Sequence, residues 1–388
     1  MRILEVCDVF SPESGGVASV VHKLSSKLSE LGHDVLIYTT DHMENQNFIN
    51  SLSPKVKVVS CKTFYRFGGI NIAPSTFLKA KKLAKNFDVI HFHSYTSLLN
   101  IPLVYYAIKF GTPMIIDVHG NLPMSDNGGF KFLFHRIFGN RMLKHSSLFI
   151  SETESGKDEY LLLGAPENKI KILHPGFDVS DMKELPRPGN FRKAYNLETS
   201  QRIIFFLGRL HKIKGVDFLI EVFIELAKRR EDVILVLAGP DDGFKNEIEK
   251  LIFKENLQDR IVFPGFMNLE QKKQGLVDAD VFVQPSRYEQ GIALTTIEAL
   301  MCSTPIIATS GNGASEDIKR MRAGKLIPFG DVKAFADEID KTLTDPKTSE
   351  EYTKNGKAYI EKNLAIEKTA LVFEQLLQEV IRENKVIK

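Results

Sequence analysis

Apolar residues follow two alternating rhythms along this chain. From Ile3 to Val6 they are nearly continuous, which reads as a strand buried on both faces. From residue 17 they recur every three to four positions, at Val17, Val20, Val21, Leu24, Leu28 and Leu31, the stripe of an amphipathic helix. A Ser/Pro/Gly loop (11–16) joins the two, Gly32 suits a helix stop, and residues 34–40 are apolar again. The pattern predicts a strand–helix–strand unit with glycines at its first turn. It restarts near residue 202 with a strand (202–208), a basic loop (209–215), a helix (216–230) and a strand (232–239). Further strands are expected at 87–93, 112–120 and 147–152 in the first half, and at 260–266, 280–286 and 304–310 in the second. Strands separated by helical spacers imply parallel, doubly wound sheets. Residues 174–190 are rich in Pro, Gly and Asp and read as a linker. The expected fold class is therefore α/β, with two facing Rossmann-like domains at 1–180 and 190–363.

A length of 388 residues fits two or three cores, and 43% hydrophobic with 26% charged residues is an ordinary soluble composition. The 51 basic and 49 acidic side chains nearly cancel, which argues against a dedicated nucleic-acid binder. Cys7, Cys61 and Cys302 are odd in number and far apart, so neither a disulfide framework nor a zinc site is indicated and the reducing cytosol fits. The N-terminus reads as a first strand rather than a signal peptide. The longest apolar run, 97–110, is short and broken by Pro102, so no membrane crossing is expected.

Ligands of doubly wound sheets bind beyond the carboxyl ends of the strands, and two facing sheets would share one cleft there. Neither a GxGxxG nor a Walker A pattern occurs, which removes the main support for a dehydrogenase or a P-loop NTPase. Gly15 and Gly16 open a helix whose first amides suit an anion, or merely permit a tight turn. Arg209 and Lys214, between a buried strand and a helix, suit a diphosphate. Such cations also stabilise a diphosphate as it leaves. His119 ends an apolar strand; His91 and His93 are less well placed, and one of them is expected to face the core. Asp278 and Asp280 match a metal-holding DxD pattern, but they precede a strand at its amino end, and a structural role is expected. Residues 130–145 carry four Lys/Arg and no acid among aromatics. They read either as a helix on an anionic membrane interface or as a core helix with a basic outer face. On a helical projection Glu298 lies within about 60° of Leu294 and Met301, beside the apolar stripe, where a carboxylate needs a partner. A vicinal diol such as that of a ribose would satisfy it.

Taken together, these stretches resemble the retaining glycosyltransferases of family 4 (GT4), which have the GT-B fold. The likeness spans nearly the whole chain: the glycine loop and helix "SPESGGVASVVHKLSSKLSELGHDV", the histidine strand "IIDVHG", the segment "LGRLHKIKGVDFLIEVF" and the signature "VFVQPSRYEQGIALTTIEALMCSTPIIAT". The resemblance implies that Gly15, Gly16, Arg209 and Lys214 hold the diphosphate of a nucleotide sugar. It further implies that Glu298 binds the ribose, that the amides of Leu294 and Thr295 contact phosphate, that Phe266 lies beside the base and that His119 lies by the transferring sugar. It also implies that the last helix, in 364–388, crosses back to the first domain. The family spaces two glutamates seven residues apart. Here that spacing reaches Gln290 rather than Glu289, and the usual CGTP reads CSTP, with Ser303 for glycine. Gln290 would bond a sugar hydroxyl without charge, whereas a one-residue bulge would present Glu289. The expected activity is metal-independent, retaining hexosyl transfer to a glycan or lipid-linked hydroxyl, cytoplasmic or at the cytoplasmic membrane face. The nucleotide diphosphate sugar is a co-substrate and no cofactor is expected. The alternatives are a nucleotide-sugar epimerase of similar build and a silent nucleotide- or glycan-binding protein.

Overall fold

The structure is a computed structural model that describes residues 1–67, 69–119, 130–289, 291 and 293–387. The chain divides into two units, 1–176 with 364–388, and 177–363.

The first unit is built on a seven-stranded sheet. Its strands are β1 (Arg2–Val9), β2 (Asp34–Thr40), β3 (Lys57–Cys61), β6 (Val89–Phe92), β7 (Met114–Asp117), β8 (Leu148–Ser151) and β9 (Ile170–Ile172). They are ordered β3-β2-β1-β6-β7-β8-β9 and every pairing is parallel. Between β3 and β6 the chain makes a separate antiparallel hairpin, β4 (Tyr65–Phe67) and β5 (Ile70–Ile72), which the apolar pattern did not announce. One face of the sheet is covered by the helices Thr76–Asn86, Asn100–Phe110 and Glu154–Leu162 around Leu4, Ile90, Phe92 and Ile116. On the other face Ile3, Val35 and Val89 pack with Leu24 and Leu28 of the helix Gly16–Glu30 and with Phe373, Leu377 and Val380 of the helix Ile366–Ile387. Asn384 Nδ2 donates to Gly111 O (2.7 Å) and His33 meets Glu374 (2.7 Å), so the carboxyl-terminal helix is anchored in this unit.

The second unit carries β10 (Arg202–Leu207), β11 (Val233–Ala238), β12 (Ile261–Gly265), β13 (Val281–Gln284), β14 (Ile306–Ser310) and β15 (Lys325–Pro328). They form one parallel sheet in the order β12-β11-β10-β13-β14-β15. Apart from Arg202 and Gln284 at their ends, β10, β11 and β13 are apolar and almost wholly buried, as suits strands covered on both faces. The helix expected at 216–230 is Val216–Ala227. Lys228 to Arg230 lie beyond its end, and the Arg230 guanidinium bonds Asp232 and Asp340. Asp278 and Asp280 bind protein. Asp278 accepts from the amides of Gly189 and Arg192, and Asp280 accepts from Arg192, Arg202 and the amide of Ile203, stitching residues 189–203 to the amino end of β13.

In each sheet the strand order reverses once, between β1 and β6 and between β10 and β13. Helices leave to opposite faces at such a point, so a crevice opens beyond the carboxyl ends of those two strands. The loops after β1, β6, β10 and β13 are where a site is expected on topology alone.

Candidate active site

In the second unit the loop after β10 and the loop after β13 are tied together. Gly215 takes φ +68, and a Cβ there would lie 1.9 Å from Pro285 O, so only glycine lets the two loops approach this closely. The Arg287 amide donates to Ile213 O (2.9 Å), and its guanidinium holds Asp217 through two bonds of 2.7 Å. This brace brings Lys214 to Glu289. One oxygen of Glu289, Oε1, accepts from Lys214 Nζ (2.5 Å), Ser286 Oγ (2.7 Å) and Gln284 Nε2 (2.9 Å), and the Glu289 carbonyl accepts from the Gly313 amide (2.7 Å). Glu289 and Lys214 are both largely buried, whereas Arg209, nearer the surface, pairs with Asp242. Gln290 lies outside the described residues.

The helix Leu294–Met301 starts without a side-chain cap, so the amides of Leu294 and Thr295 stand at an open helix N-terminus. Glu298, on the same helix, is 6% exposed. Its Oε1 accepts from Lys272 Nζ (2.5 Å), while its Oε2 is buried and has no hydrogen-bond partner among the described residues. Phe266 is 43% exposed and sits between β12 and the helix Leu269–Asp278 that carries Lys272. Ser303, where the resemblance would place glycine, adopts φ +63 just beyond the helix Leu294–Met301, a left-handed conformation that favours glycine.

In the first unit Gly15 takes φ +109 and caps the helix Gly16–Glu30, again with no side-chain cap. His119, beyond β7, is joined to a buried chain of ionisable groups. Its Nδ1 donates to Glu152 (2.9 Å) and its Nε2 lies 3.1 Å from His93 Nδ1; His93 Nε2 and His91 Nδ1 both donate to Glu5 Oε2 (2.6 and 2.7 Å). Asp117 Oδ2 stands 3.6 Å from His119 Nε2 and 3.7 Å from His91 Nε2. The expectation that one of His91 and His93 faces the core is corrected. Residues two apart in a strand share a face, and both imidazoles lie buried on the side where Phe373 packs against His91. Glu5, His91 and His93, and separately His93, Asp117 and His119, bring ligand-type atoms within 4.8 Å of one another. In the structure hydrogen bonds join His91 and His93 to Glu5, His93 to His119 and His119 to Glu152, and Asp117 stands beside them at ion-pair distance.

Burial, the largest influence on Glu5, would raise its pKa, but the His91 charge and the hydrogen bonds from both imidazoles hold it down at about 2. Burial would lower His91, but Glu5 and Asp117 outweigh it and raise the group to about 9. Burial and the neighbouring His91 charge bring His93 down to about 4. His119 is raised despite burial by Asp117 and Glu152. A neutral His93 can thus donate to Glu5 from Nε2 and accept from His119 at Nδ1.

These shifts set a pH dependence. The Glu5 contribution is present above 4.5 and lost as pH falls toward about 2, and that of His91 is present below 6.5 and lost as pH rises through about 9. His93, neutral in the fold, makes acidification from 6.5 to about 4 destabilising. The three slopes meet near pH 6.5, where calorimetry should find this unit's melting temperature at its maximum, falling by roughly 5–10 °C toward pH 4 and pH 9. Glu5→Gln should flatten the alkaline limb. A wild-type melting temperature that keeps rising from pH 6.5 to 9 would refute this reading of the relay.

Sequence reasoning missed Asp117 and Glu152 as partners of His119, Glu5 as the partner of His91 and His93, and Lys272 as the partner of Glu298. Glu5, an acid inside the otherwise apolar run Ile3–Val6, was the one available signal.

Comparison with known proteins identifies the family and the fold. Residues 14–181 match the family described as Glycosyltransferase Family 4, and residues 189–359 match Glycosyl transferases group 1. An uncharacterised glycosyltransferase of Methanocaldococcus jannaschii is 27% identical over 89% of this chain and 90% of its own length. The D-inositol 3-phosphate glycosyltransferase of Pseudarthrobacter chlorophenolicus is 24% identical over 87% and 84%. Among solved structures, Anabaena HepE in complex with UDP and glucose superposes with a TM-score of 0.83 at 18% identity, over 97% of this chain and 99% of that one. The chain therefore has the GT-B fold and belongs to the group 1 glycosyltransferases of family 4.

Proposed function

We propose that the chain moves a hexose, with retention of configuration and without a metal, from a nucleotide diphosphate sugar to a hydroxyl of a glycan or lipid-linked acceptor. The observation that carries this is Glu298: one oxygen is fixed by Lys272, and the other is buried, unpartnered among the described residues and suited to a ribose hydroxyl. Phe266 offers an exposed ring for the base. The diphosphate falls to the open amides of Leu294 and Thr295 and to Arg209 and Lys214.

In the reaction the bond from the anomeric carbon to the diphosphate oxygen breaks, and its electron pair goes to that oxygen, where Lys214 and Arg209 neutralise the charge. The acceptor hydroxyl attacks from the same face and passes its proton to the leaving phosphate oxygen. Glu289, oriented by Ser286 and Gln284, takes the first signature position in this reading and faces the positive charge that develops on the sugar. His119, held by Glu152, belongs to the acceptor-binding unit. The basic segment 130–145 suits a peripheral position at the cytoplasmic membrane face, where a lipid-linked acceptor would be met.

Thermal-shift measurements with UDP, GDP and ADP and their sugars test the reading. UDP is the first choice because HepE was solved with it. At about a hundred times Kd, one of them should stabilise the protein by roughly 3 kcal/mol, or several degrees, and Glu298→Ala should abolish the shift. No shift from any of them, or an undiminished shift in Glu298→Ala, would sink the donor assignment.

A further inference from the structure

We propose that the first unit docks on an anionic lipid bilayer through a tip made by the β4–β5 hairpin and the first turn of the helix Thr76–Asn86. Five large apolar side chains stand out to solvent there: Phe64 (83% exposed), Tyr65 (57%), Phe67 (70%), Phe77 (60%) and Leu78 (85%). Only three residues separate β5 from the helix, so the hairpin and the helix start adjoin along the chain. The tip is held firmly. The Phe64 amide donates to Ile72 O (2.8 Å), buried Asn71 donates to Asp8 (2.9 Å), Tyr38 Oη donates to Thr76 Oγ1 (2.9 Å) and Lys79 Nζ donates to Ser60 O (2.9 Å). Such an exposed apolar group on a fixed frame marks a contact surface.

Charge selects the partner. From Cys61 to Asn86 the chain has Lys62, Arg66, Lys79, Lys81, Lys82 and Lys85 and no acid. Over 61–147 there are eleven Lys/Arg against Asp88, Asp117 and Asp126, in a chain whose net charge is only +2. Asp88 pairs with Arg2, Asp117 is buried and Asp126 lies outside the described residues. The nearest acids before the hairpin, Asp41 and Glu44, are turned to the amide of Thr63 and the hydroxyl of Ser60.

The helix arranges its exposed residues in two rows, Phe77–Lys81–Lys85 and Leu78–Lys82, while Thr76, Ala80, Leu83 and Ala84 are buried. Each row has its apolar residue in the first turn and its lysines one or two turns behind, about 6 and 12 Å along the axis. An apolar tip with cations set back by that depth matches acyl chains beneath a layer of anionic headgroups, where lysine stems can extend to phosphate. An acidic protein would meet the lysines but has no layered place for the tip. The helix Asn100–Phe110 packs beside this one, and Arg141 lies over its Tyr105 ring (5.9 Å), so the face continues toward the basic segment 130–145.

The inference deepens the membrane-borne acceptor reading, and it is tested by binding alone, so its failure leaves glycosyl transfer standing. The full chain is co-sedimented with vesicles of phosphatidylcholine alone and with about 30% phosphatidylglycerol, at low and high salt. Wild type should bind the anionic vesicles selectively and lose affinity in salt. Phe64→Ser/Phe67→Ser/Leu78→Ser should weaken binding at least tenfold. Lys81→Gln/Lys82→Gln/Lys85→Gln should weaken it roughly a hundredfold, at about fivefold per charge. All the replaced side chains are exposed, so the melting temperature should not move. Equal binding to both vesicles, no binding, or undiminished binding by the tip variant while Lys131→Gln/Arg136→Gln abolishes it would each overturn the proposal. So would wild-type dimerisation in sedimentation velocity that the tip variant removes, which would assign the tip to a second copy of the chain.

Discussion

Lys214→Ala is expected to lower kcat/KM by about 10³-fold, nearly all of it in kcat. The ammonium is largely buried, and among the described residues its charge is balanced by Glu289 at 2.5 Å, in a loop clamped by Arg287 and by the close approach at Gly215. In the ground state the donor diphosphate is bonded to the sugar. When that bond breaks, the phosphate oxygen gains charge that a preorganised cation stabilises without further reorganisation, and losing one such donor costs roughly 3–4 kcal/mol. The partly exposed Arg209, paired with Asp242, should matter less: Arg209→Ala should raise KM more than it lowers kcat. Glu289→Gln leaves a hydrogen-bonding group for Ser286 and Gln284 but releases Lys214 from its counter-charge, so its loss should appear mainly in kcat. Steady-state kinetics on the nucleotide sugar identified by thermal shift, with nucleoside diphosphate release as the signal, checks these splits. A Lys214→Ala enzyme with unchanged kcat would remove the cation from the transition state.

The fold class was legible because parallel strands covered on both faces are written as short, nearly unbroken apolar runs. Residues 3–6, 202–208 and 232–239 needed no tertiary information to be read as strands. The β4–β5 hairpin was illegible for the opposite reason. Its strands are three residues each and all of β4 is exposed, so no periodicity distinguishes them from a loop. Topology brought Arg209, Lys214, Glu289, Leu294 and Glu298 to one edge of the second sheet, which the carboxyl-end rule anticipates. The partners of these residues were beyond reach. Lys272 meets Glu298 from 26 positions away and Glu5 meets His93 from 88, and nothing local in either segment encodes such a pairing. The choice between Glu289 and Gln290 depends on the conformation of a few loop residues, which neither hydrophobic pattern nor motif spacing fixes. The Glu289 carboxylate is on Lys214, while Gln290 is outside the described residues.

The second large effect belongs to Glu298. Glu298→Ala is expected to weaken nucleoside diphosphate binding by roughly 10²-fold, because a carboxylate bonded to a ribose hydroxyl contributes about 2–3 kcal/mol and the alanine leaves both the ribose and Lys272 unpartnered. The loss should fall on donor binding and so appear in KM, in contrast to Lys214→Ala. Glu298→Gln keeps a carbonyl acceptor and should retain part of the affinity.

The most direct measurement is a double-mutant cycle by isothermal titration. It uses the best-stabilising nucleoside diphosphate and its 2′,3′-dideoxy analogue, each against wild type and Glu298→Ala. If Glu298 reads the ribose, removing the hydroxyls weakens binding about 10²-fold in wild type and barely at all in the variant, leaving a coupling of about 2–3 kcal/mol. Equal affinity of wild type for the two ligands would contradict the assignment of this helix as the wall of a nucleotide-sugar site.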